Sequence, residues 1–190
     1  MQFHSIRDII HHEISGRKRL SHSELHAVME TIQRRVVFVF GEINKLLLFE
    51  EGERTMSVRC TTARKGFGNT LDSEKTPLGL HRINGRIGKW VDPYLNFVNR
   101  EPREIVTPTK PWEIISSMVG RILTLSGEEH WFNDSTEQRN IYIHGTRNHW
   151  ATTVCHNPRI SGGCIGLHPD DVISLFDATK EGDVVYITGK

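Results

Sequence analysis

The sequence predicts a mostly β domain with a minor helical part, an α+β chain, on three observations. From Val36 onward the apolar residues come in short runs separated by turn residues. Two stretches, Ala63–Lys75 and Asn84–Thr109, carry the Gly, Pro and Asn content of long loops. Helical periodicity is confined to residues 1–34 and to one segment after Pro169.

In chain order, Phe3, Ile6, Ile10 and Ile14 recur at helical spacing, and Leu25, Val28, Met29 and Ile32 form a second stripe after the basic break Gly16-Arg17-Lys18-Arg19. Ser21 with Glu24 three residues on is a capping box for that second helix. Residues 1–34 therefore read as a helical hairpin extending a domain of residues 35–190, with the basic break a solvated turn. Strands are expected at Val36–Phe40, Lys45–Phe49, Met56–Thr62, Leu80–Ile83, Val119–Leu125, Ile141–His144 and Val184–Ile187. A helix is expected from Pro169-Asp170-Asp171, apolar at Val172, Leu175 and Phe176 and ended before Gly182.

At 190 residues with 37% hydrophobic and 25% charged side chains, the chain has the composition of a globular domain with a sizeable core, which excludes disordered and collagen-like classes. Its 24 basic residues against 23 acidic give a net charge of +1, too little for a bulk nucleic-acid binder. The longest apolar runs, Val36–Phe40 and Leu46–Phe49, fall far short of the roughly 18 residues a membrane helix needs. Three cysteines, Cys60, Cys155 and Cys164, are too few for a disulfide scaffold and leave a free thiol. The first twenty residues show no apolar signal region, so a cytoplasmic location is expected, or a periplasmic one if an export signal has been removed.

The chemistry concentrates between Ile141 and Leu167, where His144, His149, Cys155, His156 and Cys164 fall in one short span. Cys164 follows Ser161-Gly162-Gly163, small residues that let backbone N–H groups approach a substrate carbonyl, and His144 ends an apolar strand where a base is held rigidly. A nucleophilic thiol paired with His144 is expected to have an apparent pKa below the free-thiol value. Zinc competes for the same residues, but His144 and His149 have no C-x₂-C partner. Taken singly, Cys155 reads as a small buried hydrophobe, and His149 and His156 as polar loop residues.

Tyr142-Ile143-His144-Gly145-Thr146, Ser161-Gly162-Gly163-Cys164-Ile165-Gly166-Leu167 and, upstream, Thr76-Pro77-Leu78-Gly79-Leu80-His81-Arg82-Ile83 resemble the YkuD-type L,D-transpeptidases. Those enzymes carry a T-P-x-G-x-[FH]-x-I segment, an H-G strand end and an S-H-G-C-[IV]-R-[ML] loop roughly twenty residues later. The three motifs stand here in that order, and the resemblance spans approximately Val36 to Ile187. It implies a YkuD-like β-sandwich or barrel and cysteine-based acyl transfer on peptidoglycan stem peptides, at the bond between an L-centre and a D-residue. Water as acceptor makes an L,D-carboxypeptidase, and an amine makes a cross-link.

Carried over by motif, Cys164 is the nucleophile, His144 the base and later acid, the Gly145 carbonyl the group that orients the imidazole, and the Gly163 and Cys164 N–H groups the oxyanion hole. Ser161, Arg159, Thr146 and His81 are the candidate substrate-binding residues, and no cofactor or metal is implied. Two positions depart from the pattern: Gly162 stands where the family has His, and Gly166 where it has Arg. Arg159, Arg147 and His156 are the candidates to compensate, and Gly166 is expected to open the nucleophile loop to solvent. The leading expectation is an L,D-carboxypeptidase releasing D-Ala from tetrapeptide muropeptides. A periplasmic cross-linking enzyme and a non-catalytic peptidoglycan-peptide binding module are the alternatives, with a zinc-binding structural role third.

Overall fold

The computed structural model describes residues 35–103, 118–146 and 159–189. The expected helical hairpin of residues 1–34 lies outside the described residues. Twelve strands run in chain order: β1 (Arg35–Phe40), β2 (Lys45–Glu50), β3 (Glu53–Arg59), β4 (Thr62–Ala63), β5 (Gly79–Ile87), β6 (Asn96–Val98), β7 (Glu101–Arg103), β8 (Met118–Gly127), β9 (Tyr142–Thr146), β10 (Arg159–Ser161), β11 (Ile165–Leu167) and β12 (Val184–Thr188). One α-helix, α1 (Pro169–Ala178), completes the described elements with a 3₁₀ turn at Asp134–Thr136. None of the described helices is long and apolar enough to cross a membrane.

The main sheet has the order β11-β9-β8-β5-β12-β1-β2-β3, with the β6–β7 hairpin attached to β8. Its pairings are antiparallel except β1 with β12 and β9 with β11. A separate two-stranded piece joins β4 to β10. Because side chains alternate across a strand, Val37 and Val39 of β1 enter one core with Leu46, Leu48, Val185 and Ile187, while Val36, Phe38 and Phe40 enter another with Leu47, Phe49 and Val184. Both faces of β1 are therefore buried, which explains its unbroken apolar run.

Helix α1 starts where Pro169 fixes the first turn and the His168 Nδ1 accepts from the Asp170 N–H at 3.3 Å. It ends at Thr179, whose N–H and hydroxyl both donate to the Leu175 carbonyl. Val172, Leu175 and Phe176 are fully buried in the core that also takes in Leu123 of β8 and Ile143 of β9, so the helix packs on β8 and braces the strand that carries His144.

The stretch Asn84–Thr109, expected as a loop, instead holds the end of β5 and the β6–β7 hairpin. A register shift between Ile83 and Gly85 breaks the apolar alternation in β5, which hides its second half from sequence. The hairpin turns on Asn99 and Arg100, both at positive φ (53° and 68°), the conformation of a tight two-residue turn without the Asn-Gly pair that usually marks it.

Candidate active site

Strands β9 and β11 pair in parallel, with Ile143 beside Ile165, His144 beside Gly166 and Gly145 beside Leu167. Ile143, Ile165 and Leu167 point into the core, so Tyr142, His144 and Gly166 share the opposite face, and Cys164 joins them one step before β11. On that face Cys164 and His144 line one cleft of about 320 Å³, with Thr61, Asn140, Tyr142 and Ser161 among its walls. The sequence placed the thiol and the imidazole twenty residues apart, and the parallel register brings them together.

The His144 Nδ1 lies 2.9 Å from the Gly145 carbonyl oxygen, which only accepts, so Nδ1 carries the proton and Nε2 the lone pair. Burial pushes the imidazole pKa below its ordinary value against the opposing pull of that carbonyl, which favours the neutral ring with its lone pair on Nε2. Only glycine fits at 145, because a Cβ there would lie 2.2 Å from the Val119 carbonyl oxygen and 2.9 Å from a Val172 methyl.

The nucleophile loop is shaped by Ser161. Its hydroxyl donates to the Cys164 carbonyl at 2.6 Å and accepts from the Gly163 N–H at 3.1 Å. Gly163 sits at φ +139°, and a Cβ on it would lie 2.6 Å from the Ile141 side chain. The Gly163 N–H expected in an oxyanion hole is thus already engaged, and Ser161, expected to bind substrate, holds the loop while lining the cleft.

The half-buried Cys164 thiol donates to the Asn140 carbonyl at 3.5 Å. Burial pushes its pKa up to about 11, opposed by a hydrogen bond with the Tyr142 backbone and by the charge of Arg139. Desolvation thus opposes the expected acidified thiol and favours a neutral pair, thiol and imidazole, at rest.

Thr146, expected to bind substrate, is buried and lines the cleft. His81 stands apart from it: fully buried, its Nδ1 bonded to the Gly79 carbonyl at 3.0 Å, it shares the inner face of β5 with Ile83 and is not among the cleft walls. Arg159 lies over the Phe67 ring at 5.4 Å, also outside the cleft lining. Arg147, His149, Cys155 and His156 lie outside the described residues.

The two departures from the family motif behave differently. A Cβ on Gly162 would meet nothing within 4 Å, so that position is open. Gly166 is closed: a Cβ there would lie 2.4 Å from the Thr61 hydroxyl oxygen and 3.3 Å from a Thr146 methyl. Thr61 is clamped to Gly166 by backbone bonds of 2.8 and 3.1 Å, so its side chain fills the space that Gly166 was expected to leave to solvent. Sequence reasoning missed Thr61, Asn140, Tyr142 and Arg139. Thr61 meets the site across 105 residues, which no local pattern signals, whereas Asn140 and Tyr142 flank the His144 strand and were legible as neighbours.

No curated protein matches this chain. Among solved structures it is similar to an L,D-transpeptidase from Xylanimonas cellulosilytica (14% identity, TM-score 0.50, 82% of this chain and 60% of that one). It is similar also to one from Mycobacterium smegmatis (15%, TM-score 0.49, 82% and 58%) and to one from Stackebrandtia nassauensis (20%, TM-score 0.48, 83% and 56%). The chain thus spans less than two thirds of the length of these solved chains. The model of the YkuD family, described as the L,D-transpeptidase catalytic domain, matches residues 34–187, which take in β1 through most of β12 with His144 and Cys164 between them, and the chain belongs to that family.

Proposed function

We propose that this protein is a cysteine acyl-transfer enzyme of peptidoglycan stem peptides, acting at the L-centre to D-residue bond and releasing D-Ala from tetrapeptide muropeptides as an L,D-carboxypeptidase. The observation that carries the reading is the placement of Cys164 and His144 on one face and in one cleft, with the imidazole tautomer fixed by Gly145. With both groups neutral at rest, the Sγ–H proton passes to His144 Nε2 as sulfur bonds to the substrate carbonyl carbon and the carbonyl electron pair moves onto oxygen. The Cys164 N–H is the donor we assign to that oxyanion, since the Gly163 N–H is held by Ser161.

Collapse of the tetrahedral species expels the D-residue's amine, which takes the proton from the imidazolium, and leaves a thioester on Cys164. Water then loses a proton to Nε2, attacks the thioester and returns the thiol. A thioester in contact with abundant water hydrolyses unless an amine site is built to compete, which is the ground for reading water as the acceptor. The test is mass spectrometry of products from a purified disaccharide tetrapeptide, with and without excess D-amino acid or muropeptide acceptor. Tripeptide plus D-Ala supports the carboxypeptidase. Dominant exchange or dimer, with native protein fractionating to the periplasm rather than the cytoplasm, would make it a cross-linking enzyme. Binding of the tetrapeptide with neither turnover nor a thioester adduct would make it a binding module.

A further inference from the structure

Arg139 stands just before the nucleophile's contact at Asn140, and no motif drew attention to it. Its guanidinium donates to the Gly68 carbonyl at 3.1 Å, to the Ser73 hydroxyl at 3.2 Å and to the Lys75 carbonyl. That Lys75 oxygen is 3.3 Å from where a Gly163 Cβ would sit, so it packs directly on the residue before the nucleophile. The next carbonyl along the chain, that of Asn140, receives the Cys164 thiol, with Asn140 itself in the left-handed region at φ 54°. One arginine thus ties the 66–75 loop to both sides of Cys164.

We propose that Arg139 is a positioning residue of the reaction: its planar fork seats the Lys75 carbonyl against Gly163 and holds a fixed positive charge beside the sulfur, favouring the anion that forms there. The inference rests on Cys164 as the nucleophile and not on the identity of the peptide. The charge of Arg139 opposes the burial of Cys164 and disfavours protonation of the neighbouring His81. Among the described residues, the other titratable groups acting on the pair or its neighbours are Tyr142 and His144 in the cleft, Arg100, whose charge acts on Tyr142, and the exposed Asp72, which partly offsets the arginine charge. Lysine carries the charge but not the three-acceptor fork, so the two parts of the role separate by substitution.

The experiment measures alkylation of Cys164 at pH 7–9 by neutral iodoacetamide and anionic iodoacetate, read at the Cys164 peptide by mass spectrometry so that Cys60 and Cys155 do not interfere. In Arg139→Gln the sulfur loses a neighbouring cation, and its pKa rises by about one unit, so both reagents slow about tenfold. The iodoacetate-to-iodoacetamide ratio falls as well, about threefold, because only the anion is attracted by the missing charge. Arg139→Lys restores that ratio. Asp72→Asn, an exposed change that does not test the fold, shifts the ratio the opposite way. A ratio unmoved in Arg139→Gln and Asp72→Asn, or Arg139→Lys as low as Arg139→Gln, overturns the role. Slow alkylation of Cys164 in the unchanged protein is the rate a buried thiol should show; tripeptide release that survives Cys164→Ala would overturn the proposed function, whatever the ratio does.

Discussion

Gly166→Ala is the sharpest probe of the packing at the nucleophile. The new Cβ would stand 2.4 Å from the Thr61 Oγ1 and 3.3 Å from the Thr146 methyl, where ordinary contact begins at 3.4 Å. The two backbones cannot part by the missing ångström without stretching the paired bonds Thr61 N–H to Gly166 O (2.8 Å) and Gly166 N–H to Thr61 O (3.1 Å). Thr61 is β-branched and buried, with little rotamer freedom to yield. Overpacking of this kind costs about 2 kcal/mol, which lowers the melting temperature of a domain this size by about 4–8 °C.

Thr61→Ala removes the offending oxygen. It loses only a long 3.4 Å contact to a carbonyl already bonded to the Thr61 N–H, at a cost of about 1 kcal/mol. In the double variant the clash is gone, so the two changes together should cost about 1–2 kcal/mol less than their sum. Thermal and urea melts of the four proteins close the cycle, and tripeptide release from the tetrapeptide shows whether the cleft wall moves with stability. Costs that add to within about 0.4 kcal/mol would mean Thr61 does not fill the space beside Gly166, and the account of that departure would be wrong.

His81→Phe should fold and remove an acid weakness: buried His81 has its pKa pushed down to about 4, so as pH falls below about 6.5 the unfolded chain takes a proton that the folded one refuses. The native protein then loses stability progressively down to about pH 4, by as much as about 3 kcal/mol, and melts at pH 7 and pH 4.5 should show that slope flattened in the variant. Gly145→Ala should cost at least about 100-fold in turnover, because the Val119 carbonyl forces β9 aside and drags the imidazole about 1 Å off line, an effect read by kcat on the tetrapeptide. Cys60 is fully buried with its pKa pushed up to about 12, so Cys60→Ala should retain most of the turnover while Cys164→Ala abolishes it, and equal loss in both would displace Cys164 as nucleophile.

His144 and Cys164 were legible because each signal is local: a histidine closing an apolar strand before a glycine, and a cysteine after two glycines. Their proximity was legible only through the family pattern, since the parallel pairing of β9 with β11 rests on two strands joined by a long connection. The state of the thiol was not legible, because it follows from burial and from Arg139, whose contacts reach 64 to 71 residues away. His81 shows the converse: its motif was recognised, but only the alternation with Ile83 on β5 reveals that it faces inward. The β6–β7 hairpin escaped because Asn99 and Arg100 make the turn that Gly usually makes.

Strand β12 lies between β5 and β1, and its bonds to both are the join between two half-sheets, β3-β2-β1 on one side and β5-β8-β9-β11 on the other. The Arg35–Asp183 ion pair at that join spans 148 residues, so the middle of the sheet is assembled from the two most distant described stretches of chain. During synthesis both halves emerge before β12, and the half that bears His144 and Cys164 must wait, with one edge of β5 unpaired, for Val184 to leave the ribosome. Long-range closure of this kind is slow, on the order of milliseconds to seconds. A nascent chain stalled before Val184 should therefore be sensitive to protease and inactive although its catalytic side chains are already made, with protection and turnover arriving together on release.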